Sequence, residues 1–519
     1  MAVIAPILKG VAAGVRRGFR LLALALPIAA MSVASSQGQQ QPGPALPPLP
    51  YQRLRELAKD PEAWRQFLAD HAAPPPAEPA STEPSTVAWT RLENLLPGGQ
   101  AASNPLLLTD GTVLVHVSCT DLWYRLTPNA EGSYQKGTWS SVPPMVSSAT
   151  EKYAPRFFSS AVLPDGRVIV EGGEYNGAAC TQVETNLGTI YDPATNSWTP
   201  VSPPGGWSQI GDASGVVLED GTFLLSTAVT RQTALFNATK RTWTPTGAGK
   251  FDINSEENWT LLPNGDVLTV DAYVNQSTCG KNSEVYQAAS GHWTSAGSTI
   301  NELSGCSGSI QDFEAPTQIL QPDGDVAAFG ATASLASQNL PVHTGIYDTT
   351  TQRWSEGPNM PKVDGEYYTM ADAPAAILAN GNVLIAASPG VWTNDSSYPN
   401  PTHFFIFDGT AFTQVGDVAD SASLSSYEMN FLVLPTGEVL GVETDFANME
   451  LFPPGCCADP SWAPTITTFP ATIVNGEVYE ITGTQFNGLT SGAAYGDDEQ
   501  ASTNYPLVRV TDTSTKEVT

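Results

Sequence analysis

A short turn recurs seven times along this chain, built mostly on Asp-Gly or Asn-Gly after a leucine and before a hydrophobic pair. Its glycines are Gly111, Gly166, Gly221, Gly265, Gly324, Gly381 and Gly437. An Asp-Gly or Asn-Gly pair between alternating apolar residues marks a tight β-hairpin, because the turn demands left-handed backbone that glycine adopts without steric cost. Leu163-Pro-Asp165-Gly166-Arg-Val168 and Leu262-Pro-Asn264-Gly265-Asp-Val267 show the pattern. Asp110, Asp165, Asp220 and Asp323 are therefore read as turn formers. The spacing between turn glycines, 44 to 59 residues, leaves room for two further strands per unit. A third apolar stretch ends at Tyr124, Tyr191, Phe236, Tyr286, Tyr347, Phe407 and Phe452, and a fourth begins at Trp139, Trp198, Trp243, Trp293, Trp354 and Phe412. The seventh unit runs into Pro453-Pro454 without a fourth strand, while Trp89-Thr-Arg-Leu stands unassigned ahead of the first. That segment is expected to pair as the outer strand of the last unit and close a ring.

Four-stranded units at this period predict an all-β fold, a seven-bladed β-propeller of kelch type. The chain here resembles the galactose oxidase and glyoxal oxidase family, a resemblance that also covers the tail from Ala463 and spans roughly residues 86 to 519. Four segments follow from it and from composition. Residues 1–34 read as a signal peptide, with Lys9, Arg16, Arg17 and Arg20, then apolar Leu21 to Ala30, then Ser32-Val33-Ala34. Arg16-Arg17-Gly-Phe19 is also similar to a twin-arginine export signal. Residues 35–85 read as a Pro-rich linker with a short helix over 51–71. The propeller occupies 86–462. Residues 463–519 start an Ig-like β-sandwich similar to the oxidases' C-terminal module, truncated at Thr519 because too few strands remain for a sandwich of about 100 residues.

Export predicts disulfides rather than thiol metal sites. Six cysteines are present with no Cys-x-x-Cys, so Cys119 is expected to pair with Cys180 and Cys279 with Cys306; Cys456-Cys457 either bridge each other or bond elsewhere. The formal charge of −29 becomes −33 once the four cations of 1–34 are set aside, which disfavours nucleic acid and anionic lipid and favours cations. No stretch outside the signal is apolar enough to span a membrane.

The resemblance implies a copper ion on the ring axis, held by two tyrosines and two histidines, one tyrosine being cross-linked to a cysteine. Residue by residue, Tyr427 matches the tyrosine of the family's tandem Tyr-His and Glu428 stands where its histidine would be. Phe157 replaces the radical tyrosine, and Ala101-Ala102-Ser103-Asn104 offers no thiol. The five histidines do not rebuild the site. Aligned on the turns, units three to seven instead offer Asp212, Glu256, Glu314, Asp372 and Glu428 at one register, the fifth requiring a one-residue insertion at Gln321 or Pro322. Converging carboxylates need protons or a cation, and oxygen-only ligands favour Ca²⁺ or Mg²⁺ over copper. Trp207, Trp259 and Trp392, off the repeat register, are candidate stacking surfaces for sugars. Asn237, Asn258, Asn275 and Asn394 carry glycosylation sequons. The expectation is a secreted, periplasmic or surface propeller, a binding protein rather than an enzyme, that binds glycans or other cell-surface polymers through Tyr427, Glu428, Glu314 and Asp372, either metal-free or assisted by calcium rather than copper. The alternatives are a copper-radical oxidase releasing hydrogen peroxide and a purely structural adhesion protein.

Overall fold

The turns set the fold. In the computed structural model, which describes residues 3–4, 87–146, 152–272, 280–304, 314, 316–335, 337–392, 399–444, 446–474, 477–496 and 506–508, all seven turn glycines are left-handed, with φ between +79° and +91°. Their N–H groups donate back to Leu108, Leu163, Leu218, Leu262, Gln321, Leu378 and Leu434. The preceding side chain seals most of these turns by accepting a backbone N–H two residues on, as Asp110, Asp165, Asp220, Asn264, Asp323 and Asn380 all do. In the fifth unit Gln321 takes the leucine's place and Leu320 pairs with Val326, as Val162 pairs with Val168 in the second. The fifth turn therefore carries no inserted residue. The offset lies upstream, between Glu314 and Thr317.

Each turn joins the first two strands of an antiparallel sheet. The sheets begin with Ala102–Leu107, Ser159–Val162, Gly215–Val217, Thr260–Leu261, Thr317–Leu320, Ala375–Ile377 and Met429–Val433. Neighbouring first strands contact one another from the first sheet to the third and from the fourth to the seventh, and the first sheet's also contacts the seventh's. The architecture is all-β and propeller-like; among the described residues the only helices are short 3-10 turns. Thr90–Arg91 pairs with Met449–Phe452, so the segment ahead of the first unit is the outer strand of the last sheet.

The repeated aromatics have one packing job. Tyr191, Phe236, Tyr286, Tyr347 and Phe407 lie directly across from Trp198, Trp243, Trp293, Trp354 and Phe412, with ring centroids 4.9 to 5.5 Å apart. In the first sheet the register differs and Leu126 faces Trp139. The outer-strand indoles then reach back to the preceding sheet: Trp198 donates to Pro143 O, Trp243 to Ser202 O and Trp354 to Ser283 Oγ. Trp89 repeats this contact with Gly416 O at 2.9 Å, which ties the last sheet to the sixth. The buried core lies between neighbouring sheets, for example Ile319, Phe329, Ile385 and Phe407 between the fifth and sixth.

Two additions sit on this frame. A small sheet, Pro155–Arg156 with Tyr175–Asn176 and Thr181–Gln182, projects from the second unit and is stapled by a Cys119–Cys180 disulfide with Cα atoms 5.4 Å apart. In the C-terminal region Thr465–Thr468 pairs with Thr482–Thr484, and Tyr479–Glu480 pairs with Val3–Ile4. From there Ala493–Ala494 returns to pair antiparallel with the innermost strand Ala375–Ile377. The cleavage site and the helix at 51–71, the Cys279–Cys306 pairing, Asn275 and Asn394 lie outside the described residues. Among the described residues no helix is long and apolar enough to cross a membrane.

His116 illustrates what burial does to a repeat position. Its Nε2 donates to Thr120 O at 2.9 Å, so Nδ1, 3.2 Å from Ser103 Oγ, accepts, and the ring packs on Trp123 and Phe158. Burial pushes its pKa down to about 4. A histidine near 6.5 when unfolded and near 4 when folded binds fewer protons in the native state, so stability falls as pH drops from 6.5 to 4, by about 3 kcal/mol for this group. His116→Gln is expected to flatten that acid limb in urea titrations at pH 4 to 7. Glu443 has the opposite sign: burial, with Asp420 and Glu450 beside it, raises it to about 8, so its cost grows as pH rises from about 4.5 to 8.

Candidate functional site

The residue six positions before each turn's opening residue marks where the chain enters its innermost strand. These positions hold Ala102, Phe157, Asp212, Glu256, Asp372 and Glu428, with Glu314 one residue further upstream in the fifth unit. At three of them a side-chain-bearing residue is left-handed: Phe157 at φ +49°, Glu256 at +56° and Asp372 at +47°. Such backbone costs of order 1 kcal/mol or more per residue and persists only where the surroundings enforce it.

Here the chain brings together Glu256, Glu314 and Asp372, from three successive units, each half-buried, with one carboxylate oxygen from each within 4.8 Å of the others. Asp212 and Glu428 stand outside this trio. Asp212 donates its backbone N–H to Glu184. Glu428 turns to its own chain, where its carboxylate accepts the Ser425 N–H at 2.8 Å and closes a capping box. Tyr427 faces Phe157 at 6.4 Å between ring centroids, and Phe157 lies 6.2 Å from Tyr175 with the Arg156 guanidinium 4.5 Å above it.

Two further acids beside Glu256, namely Glu174 and Glu184, escape a repeat-based reading because they lie in the excursion of the second unit. Only their position either side of Cys180 hints at them. Burial, with Asp372, Glu174 and Glu184 nearby, pushes Glu256 up to about 8 against a hydrogen bond from Glu314. Burial, with Glu184 and Asp372, pushes Glu174 to about 7, although Tyr175 and Arg156 pull it down. Around neutrality the group therefore holds shared protons, or exchanges them for a cation.

Backbone without side chains makes the approach possible. A Cβ on Gly211 (φ +77°) would stand 2.2 Å from Glu184 Oε2, and one on Gly496 would stand 2.5 Å from both Cα and Oδ1 of Asp372. Gly496 follows the strand Ala493–Ala494, so the C-terminal segment packs directly against Asp372. Asn258 fastens it by donating to Tyr495 O and Gly496 O while accepting from Gln318 N, and Tyr495 donates its hydroxyl to Tyr427 O. Asn258 is thus a buried structural hub, which corrects its reading as a glycosylation site.

Trp207 and Trp259 are likewise core residues and not exposed sugar platforms. Both are buried, Trp259 against Trp293 at 5.4 Å. The side chain of Trp392 lies outside the described residues. Of the five histidines, four are described and each is engaged with partners outside the carboxylate trio: His116 in the core, His292 on Ser290 O, His343 on Asn359 and His403 on Asp417.

No protein-family model matches the chain. An F-box/kelch-repeat protein of Arabidopsis thaliana is 35% identical over 68 residues, which is 13% of this chain. The chain matches only 17% of that relative's length. Among solved structures, a fungal alcohol oxidase of the AA5 family in complex with copper is similar at a TM-score of 0.49 and 16% identity, over 84% of this chain and 92% of the oxidase. A virginiamycin B lyase from Staphylococcus aureus is similar at a TM-score of 0.47 and 9% identity, over 70% of this chain and 98% of the lyase.

Proposed function

We propose that the seven sheets are the blades of an exported kelch-type propeller, completed by a C-terminal module of the oxidase-family kind. Its axial mouth binds a divalent cation and, through it, a polyhydroxylated glycan or other cell-surface polymer. The observation that carries this reading is the convergence of Glu256, Glu314 and Asp372 from three successive units to within 4.8 Å. Calcium and magnesium take carboxylate oxygens at about 2.0–2.6 Å and accept sugar hydroxyls in their remaining positions. Phe157, Tyr175 and Tyr427 supply rings at the rim against which a sugar can pack.

Copper-radical chemistry does not suit these side chains. The phenyl ring of Phe157 has no donor atom, and the Glu428 carboxylate is committed to its own backbone. The reaction needs a phenol and imidazoles at those places.

Titration calorimetry of the full chain with Ca²⁺ and Mg²⁺ tests the reading. One cation per chain is expected, with affinity cut at least ~100-fold by Glu256→Gln plus Asp372→Asn, beyond the ~10–100-fold typical of losing an outer-shell partner. The unfolding midpoint of the metal-free variant should hold or rise, because repulsion is removed. Absence of cation binding, with a lowered midpoint in the variant, supports the purely structural reading. Stoichiometric copper with peroxide release would restore the oxidase.

A further inference from the structure

The last sheet ends at Phe452, and the chain then crosses to the C-terminal region through Gly455-Cys456-Cys457. Both ends of this crossing are fastened to the sixth unit's turn. Pro454 O accepts the Ala379 N–H at 3.1 Å, and the Trp462 ring lies where a Cβ on Gly381 would come within 2.6 Å of it. Asp459 caps the turn Pro460–Trp462 through the Ser461 N–H. Between these anchors Cys456 and Cys457 are exposed thiols with their sulfurs 2.8 Å apart. The backbone holding them is already left-handed, at φ +74° for Gly455 and +71° for Cys457. The neighbouring Cys456, which accepts the Cys457 S–H, pushes the Cys457 thiol up.

We propose that Cys456 and Cys457 form a reversible dithiol–disulfide site that exchanges with low-molecular-weight disulfides. Successive Cα atoms are about 3.8 Å apart, below the roughly 4.4–6.8 Å that disulfides ordinarily span, so the eight-membered ring closed by adjacent cysteines is strained. Strained, exposed disulfides are the readily reduced ones. One thiolate attacks a sulfur of the external disulfide, whose S–S bond breaks and releases one thiolate. The second cysteine, after losing its proton, attacks the protein sulfur of the mixed disulfide and expels the other. The pair loses two protons and two electrons, and the external disulfide leaves as two thiols. Cys119–Cys180 closes a loop over a sequence separation of 61 and carries no such ring strain, so it is the structural bridge.

The test equilibrates the full chain in mixtures of reduced and oxidised glutathione, quenches with an alkylating reagent, digests, and weighs the peptide bearing both residues. That peptide is expected to interconvert between a doubly alkylated form and an unalkylated form lighter by two hydrogens, while the Cys119–Cys180 peptides stay linked at the ratio where it is half reduced. Cys457→Ser is expected to accumulate a glutathione adduct at Cys456. Double alkylation at every ratio, a persistent adduct in the unsubstituted protein, or linkage of either cysteine to another residue or chain would overturn the proposal.

Discussion

Lys250→Met is expected to destabilise the protein by about 3–5 kcal/mol, the usual cost of leaving buried charges without their partner. Its Nζ lies 2.7 Å from Glu257 Oε1, 3.1 Å from Asp271 Oδ1 and 2.5 Å from Glu284 Oε2, and none of the four side chains is more than 2% exposed. The ammonium also lies over Trp293, 5.2 Å from its centroid. Burial holds Glu257 well above the usual carboxylate range and, against the pull of Lys250, raises Glu284 to about 7. Glu257→Gln is expected to cost less than Lys250→Met, its amide nitrogen having to face Lys250 Nζ or Trp259 Nε1, and combined with Lys250→Met to recover part of the loss. Urea unfolding followed by tryptophan fluorescence reads each value; equal midpoints for Lys250→Met and the unsubstituted protein would mean that the cage contributes nothing.

Trp89→Ala is expected to cost a further large increment, about 3–5 kcal/mol, from loss of a buried indole. Trp89 packs on Phe404 at 5.0 Å and Phe452 at 5.1 Å, bridging the sixth and seventh sheets, and its Nε1 bonds Gly416 O. Gly441 has no Cβ because one would stand 2.8 Å from this ring. The residue also leads the strand Thr90–Arg91, where Arg91 pairs with the buried Glu450 at 3.1 Å. Hydrogen exchange should rise in Met449–Phe452 before it rises in the other third strands. Uniform protection across all seven sheets would contradict the view that this tryptophan latches the ring.

The local chemistry of the repeat was legible without coordinates. A left-handed turn residue, an Asx bond and an aromatic facing an aromatic are short-range requirements, met within one unit, so Gly166, Asp165 and the Tyr191–Trp198 pair announce themselves. The outer strand at Thr90–Arg91 was legible because a missing fourth strand at one end matched a spare one at the other. Alignment on the turns also placed Glu256 and Asp372 at equivalent entries to the axis.

Tertiary structure decided which acids meet. Glu428 shares the register of Glu256 but is captured by a local N–H, while Glu314, one residue out of register, reaches the cluster. Glu174 and Glu184 arrive from a disulfide-stapled excursion, and Gly496 from the far end of the chain, across separations that no periodicity records. Lys250 and its three carboxylates look like ordinary surface charges in sequence, and only burial turns them into a cage. The sheets follow from local pattern alone, because hairpin twist and alternation are enforced residue by residue. The site was left to the fold, because electrostatic meaning depends on distance and desolvation, which exist only once the ring has closed.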